Sequence, residues 1–115
     1  MAKFKDLLSL PALHSFVKDA GFKHPTNVQT AAIPHLLSGK SVSVLAQTGS
    51  GKTLAYALPL VELLKKLENE TQEEKPQDRT PIAWVITPTH ELGAQVEKIF
   101  KSIAHQAKLR IRLVR

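Results

Sequence analysis

An α/β fold, an open parallel sheet with helices on its faces, is the class this sequence predicts, and three observations predict it. Apolar stretches rich in β-branched residues alternate with helical patterns in the order strand, helix, strand, helix, strand, the signature of right-handed βαβ units. The segment Ile82–Thr87 (Ile-Ala-Trp-Val-Ile-Thr) lacks polar alternation, as a strand covered on both faces requires. The run Ser41–Thr53 passes from a strand pattern through two closely spaced glycines into Lys52-Thr53 and a long helical pattern.

Taken in order, Leu7–Ala20 reads as a helix with Leu8, Leu13, Phe16 and Val17 on one face, Pro11 near its true start and Gly21 past its end. Phe4 lies before it. Thr26 followed three residues later by Gln29 has capping-box spacing, so the next helix opens there. Gln29 either caps that helix or does something else. The helix runs to about Leu37, with Ile33, Leu36 and Leu37 inward, Pro34 within it and Gly39 ending it. A strand over Ser41–Gln47 and a loop follow. A helix from Lys52 to about Leu67 then offers Leu54, Ala57, Leu58, Val61, Leu64 and Leu67 as a broad apolar face, with a kink expected at Pro59. Residues Glu68–Pro81 lose periodicity, gain charge and read as an exposed connection. After the Ile82–Thr87 strand, Pro88-Thr89 opens a helix to about Gln106, with Leu92, Val96, Ile99, Phe100 and Ile103 inward. Leu109–Val114 alternates with Arg110 and Arg112 and is a third strand candidate, which leaves the sheet unfinished where the sequence stops.

The chemistry concentrates at Ala46–Thr53, Ala-Gln-Thr-Gly-Ser-Gly-Lys-Thr. Gly49 and Gly51 let the backbone turn tightly and approach a polyphosphate, so that successive N–H groups and a helix N-terminus point at the anion. Lys52 is placed to reach the β- and γ-phosphates and the Thr53 hydroxyl to ligate Mg²⁺. The usual pattern is G-x-x-x-x-G-K-[ST]; Ala46 stands at its first position. A Gly/Ser turn that merely precedes a lysine is the plain alternative, and a strand before and a helix after argue against it.

At 115 residues the chain is about one small domain. The longest apolar run, near Leu54–Leu64, is interrupted by Pro59 and Glu62, so none is long enough to span a membrane, and Lys3 and Lys5 before Leu7, Leu8 and Leu10 lack the small-residue cleavage pattern of a leader. There are no cysteines, which excludes disulfides and thiolate zinc sites, and the five histidines are scattered. A reducing, cytoplasmic setting is compatible with this. Net charge is +6, but Glu68–Arg79 holds five of the ten acidic residues. The rest of the chain carries fourteen basic and five acidic residues, a net +9, which favours polyanion partners. Charge kept for solubility is the alternative.

Gly21-Phe22-Lys23-His24-Pro25-Thr26-Asn27-Val28-Gln29 resembles the Q motif of DEAD-box RNA helicases, with Phe4 at the upstream aromatic position. Ala46–Thr53 is similar to their motif I, and Pro88-Thr89-His90-Glu91-Leu92 with Gln95 to their motif Ia, so three motifs occur in order. The resemblance implies a RecA-like, P-loop NTPase domain that is incomplete in this chain, with residues 1–40 as the Q-motif region and 41–115 as part of the first ATP-binding domain. It implies that Gln29 reads the adenine edge of ATP, that Phe4 packs against the base, and that Phe22, Lys23, Pro25 and Thr26 shape the pocket. Ala46, Gln47, Thr48, Gly49, Ser50, Gly51, Lys52 and Thr53 would hold the phosphates, with Lys52 and Thr53 catalytic and Thr53 on Mg²⁺. Pro88, Thr89, His90 and Gly93 would contact the backbone of single-stranded or duplex RNA. Two departures stand out: His90 replaces the family's Arg, which costs a permanent positive charge, and Gly93 replaces a common Ala. Arg110, Arg112 and Arg115 either add backbone contacts or are solvated strand charges.

The sequence stops before any Asp-Glu-Ala-Asp segment and before a second RecA-like domain, so the 115-residue chain alone is expected neither to hydrolyse ATP nor to unwind RNA. Two readings compete with an N-terminal part of an RNA helicase. One is a noncatalytic nucleotide or nucleic-acid binding module; the other is a different P-loop NTPase acting on DNA or protein assemblies.

Overall fold

The computed structural model describes residues 3–47, 51–70 and 83–109. Five helices organise them: α1 (Phe4–Leu7), α2 (Pro11–Asp19), α3 (Asn27–Leu37), α4 (Lys52–Glu70) and α5 (His90–Ala107). The single helix expected over Leu7–Ala20 is thus two, separated by extended chain at Leu8–Leu10. Pro11 starts the second, where its missing N–H and fixed φ cost nothing.

The helix ends follow their local sequences. At the end of α2, Gly21 takes φ +84, which lets its N–H reach Lys18 O at 3.1 Å and the Phe22 N–H reach Val17 O at 2.9 Å. α3 closes in the same way through Gly39 N–H to Leu36 O and Lys40 N–H to His35 O, both 3.1 Å. Lys108 at φ 60 does this for α5 despite carrying a Cβ. α4 runs without interruption through Pro59 and reaches Glu70, three residues past its expected end.

Every helix contributes to one core. Phe4, Leu8, Leu13, Phe16, Val17 and Ile33 pack with Leu54, Ala57, Leu58 and Val61 of α4 and with Phe100, Ile103 and Ala107 of α5. The chief contacts are α3 on α4, with α5 set against α2 and α4. Leu92, expected inward, is instead exposed. The buried residues of α5 lie mainly in its later turns, from Phe100 to Ala107, while in its first turn Gly93 is buried beside the exposed Leu92.

The expected strands differ most. Residues 41–47 and 83–87 carry no ladder, and among the described residues there is no β-strand. Their apolar side chains face solvent, Leu45 at 101%, Ile86 at 91% and Trp84 at 66% exposure. A strand exists only by pairing, and these segments have no paired neighbour within the described residues. Thr48, Gly49 and Ser50, the connection over 71–81, and most of the Leu109–Val114 strand with Arg110, Arg112 and Arg115 lie outside the described residues.

Candidate nucleotide site

α3 begins as its sequence demands. The Thr26 hydroxyl accepts the Gln29 N–H at 3.2 Å, and Gln29 Oε1 accepts the Thr26 N–H at 2.9 Å, so each residue answers a backbone group of the other. Gln29 therefore does cap its helix. It also does something else: its Nε2 donates to the Gly51 carbonyl oxygen, 3.3 Å away. The amide is 2% exposed and joins the start of α3 to the turn that precedes Lys52.

Gly51 takes φ +86, a conformation that L side chains rarely adopt. A Cβ there would lie 2.5 Å from Gln29 Nε2 and 3.2 Å from both Thr26 Oγ1 and Thr26 Cγ2. The loop's last glycine is thus required by its backbone and by the two residues of the capping box at once. The Ala55 N–H bonds to Gly51 O at 3.1 Å, so the same carbonyl starts the helical ladder of α4.

Lys52 is exposed and Thr53 half-buried at the first two positions of α4, where free N–H groups and the helix dipole favour an anion. Burial raises the Tyr56 phenol above its ordinary value, and the Thr53 hydrogen bond works in the opposite direction. The Tyr56 ring also meets Phe100 of α5 with centroids 6.1 Å apart. As a cation site, Thr53 offers a neutral hydroxyl, and no group of three or more His, Cys, Asp or Glu among the described residues could hold a metal. That donor set fits a cation that arrives with phosphates, not one held by the protein alone.

The other expected residues fall in two places. Phe22, Lys23, Pro25 and Thr26 lie on the segment leading into α3, Phe22 45% exposed and Pro25 half-buried. Phe4, expected beside a base, is 5% exposed and packs in the core. Ala46 and Gln47 end the described part of the segment before the loop. Further along, the Thr89 hydroxyl accepts the Leu92 N–H at 3.1 Å and caps α5, with Pro88 and His90 exposed beside it and Gly93 buried one turn on. Sequence reasoning missed Glu62, read there only as a break in an apolar run; it is 1% exposed. A charged residue inside an apolar helical face was the available signal.

Comparison with known proteins shows the family of the chain. The sequence model of the DEAD/DEAH box helicase family matches residues 26–115, and the chain belongs to that family. It is 42% identical over 99 residues to the DEAD-box ATP-dependent RNA helicase 39 of Arabidopsis thaliana, covering 85% of this chain and 16% of that protein. It is 41% identical over 108 residues to the ATP-dependent RNA helicase HAS1 of Meyerozyma guilliermondii, covering 92% of this chain and 18% of that one. Among solved structures, the RNA-helicase Prp28 from Chaetomium thermophilum bound to ADP superposes with a TM-score of 0.79 at 32% identity, over 96% of this chain and 26% of that one. The chain shares the RecA-like helicase fold over the matched part and spans about a sixth of the length of these curated relatives.

Proposed function

We propose that this chain is the nucleotide-binding and RNA-contacting N-terminal part of an ATP-dependent RNA helicase. The observation that carries the reading is the Gln29 amide held between Thr26 and Gly51. With Oε1 on the Thr26 N–H and one Nε2 proton on the Gly51 carbonyl, the amide cannot flip without setting donor against donor and acceptor against acceptor. One Nε2 proton and one Oε1 lone pair are left. That pair complements adenine, whose N7 accepts and whose N6 donates, and mismatches guanine, whose N7 and O6 both accept. Because Gln29 is 2% exposed, a base reaches it only as the residues around it move apart.

In this reading Phe22, Lys23, Pro25 and Thr26 wall the base, Phe4 supports that wall from the core, and Ala46–Thr53 holds the phosphates with Lys52 as the cation facing them. The Thr53 hydroxyl would hold a Mg²⁺ ion brought by ATP, and that ion would supply charge neutralisation at the phosphates. Pro88, Thr89, His90 and Gly93 form the RNA side at the start of α5, and residues 41–47 and 83–87 are strands of the parallel sheet, a role their exposed apolar side chains support. Residues 1–40 form the base-reading region and 41–115 the phosphate- and RNA-facing part. The partner is RNA, the setting cytoplasmic, and no helix among the described residues is long and apolar enough to cross a membrane.

The test is competitive binding of ADP and GDP against a fluorescent adenine nucleotide. The chain is expected to prefer ADP, and Gln29→Ala to abolish the preference; equal binding of the two nucleotides by the unmodified chain would remove the basis of the reading.

A further inference from the structure

Among the described residues Glu62 is the one buried charged side chain, and the nucleotide chemistry above does not use it. It lies on α4 ten residues beyond Lys52, about 15 Å along the helix. Its Oε1 accepts the Ser9 N–H at 2.5 Å and the Leu10 N–H at 3.0 Å, while Oε2 stands 3.5 Å from the Lys66 ammonium. On the same short link, His14 Nε2 donates to Leu8 O at 2.6 Å. The extended segment between α1 and α2 is therefore held by its carbonyl from one side and by its amides from the other.

The need for this is local. α2 starts with Pro11 and its N-cap is Leu10, which has no side-chain oxygen to offer. A carboxylate from a helix more than fifty residues away answers backbone N–H groups at that end and lies near the positive pole of α2. The two N–H groups and the ammonium in turn make burial of the charge tolerable.

The consequence reaches the other end of α2. The Phe22 N–H bonds to Val17 O at 2.9 Å, so the placement of α2 sets the path of the residues that wall the proposed base site. α4, which emerges from the phosphate loop, is thus bonded to the base-side region at two points: Gly51 to Gln29, and Glu62 to Ser9 and Leu10. We propose that Glu62 is a positioning residue for base selectivity: it locks the start of α2 to α4 and so fixes Phe22 and Pro25 relative to Gln29. This rests on the nucleotide reading above.

The test compares Kd for ADP and GDP in the full chain, together with amide hydrogen exchange at Ser9 and Leu10. Glu62→Gln keeps the shape and an acceptor oxygen but loses the charge. It is expected to speed exchange at both amides and to lower the GDP-to-ADP Kd ratio about fivefold, the lower end of coupling between sites. Glu62→Ala should lower the ratio further; if it does not fold, Glu62→Gln carries the test alone. Loss of folded protein would weaken both nucleotides equally and leave the ratio unmoved. Faster exchange with an unchanged ratio overturns the proposal, as does a changed ratio without faster exchange, or no change in either. An unmodified chain with no ADP preference overturns the nucleotide reading and this inference with it, whereas a preference lost in Gln29→Ala and intact in Glu62→Gln sinks the inference alone.

Discussion

Gln29 Nε2 and the Gly51 carbonyl oxygen are 3.3 Å apart, so the side chain that caps α3 is bonded to the backbone from which α4 departs. The capping box of one helix and the first turn of another share this amide. A change at either residue is therefore felt at both.

Gly51→Ala tests that sharing. Alanine at φ +86 meets the left-handed penalty of about 1–2 kcal/mol, and its Cβ would displace the Gln29 amide from 2.5 Å. The end of a side chain can swing away, but doing so gives up the bonds to Gly51 and Thr26. The expected loss is about 2–3 kcal/mol in urea unfolding, with nucleotide affinity falling as well. A variant as stable as the parent would mean that neither the positive φ nor the close approach constrains the loop.

The sole tyrosine makes the second prediction clean. Tyr56 is raised above 10.0 chiefly by burial, so its tyrosinate absorbance should titrate above that value in the folded chain and near it after denaturation. A folded-state pKa above the unfolded one contributes stability that is complete below the unfolded value and is lost as pH rises through the folded one. Tyr56→Phe should accordingly lose less stability than the parent between neutral pH and the strongly alkaline range. Superimposable alkaline stability curves for the two would refute it.

The helix framework was legible because its signals are local. Thr26 and Gln29 announced the start of α3 by spacing alone, Gly21 and Gly39 marked C-termini, and Leu13, Phe16 and Val17 are buried on α2 as their spacing required, whereas Leu8 is buried from the extended link and not from the expected helix. What failed depends on distant partners. Leu92 has the right period but is 42% exposed, because burial of α5 is concentrated from Phe100 to Ala107. Residues 41–47 and 83–87 have strand composition, yet pairing is supplied by other segments. Glu62 looked like a flaw in an apolar face because nothing near it in sequence shows that Ser9 and Leu10 present unanswered N–H groups. At the site, the cap on Gln29 was readable and its bond to Gly51 was not, since that contact spans 22 residues.

Trp84, the only tryptophan, reports on the 83–87 segment. At 66% exposure its emission should be that of a water-exposed indole and should be quenched readily by acrylamide. Blue-shifted, protected emission from the isolated chain would show the segment already covered, as a paired strand would be.

Thr89 separates a structural from a binding role at the start of α5. Its hydroxyl accepts the Leu92 N–H at 3.1 Å, so Thr89→Ala should cost about 1 kcal/mol of stability through the lost cap. Thr89→Asn restores a capping oxygen and with it the stability. A hydroxyl oxygen that already accepts one bond still has its proton to donate, and a phosphate oxygen is a strong acceptor for it. The asparagine amide, with its oxygen on Leu92, would point its N–H groups along a different vector. Single-stranded RNA affinity is therefore expected to fall in both variants, measured by fluorescence anisotropy at fixed salt, while only the alanine loses stability. RNA affinity that follows stability, recovering with asparagine, would assign Thr89 to the cap alone.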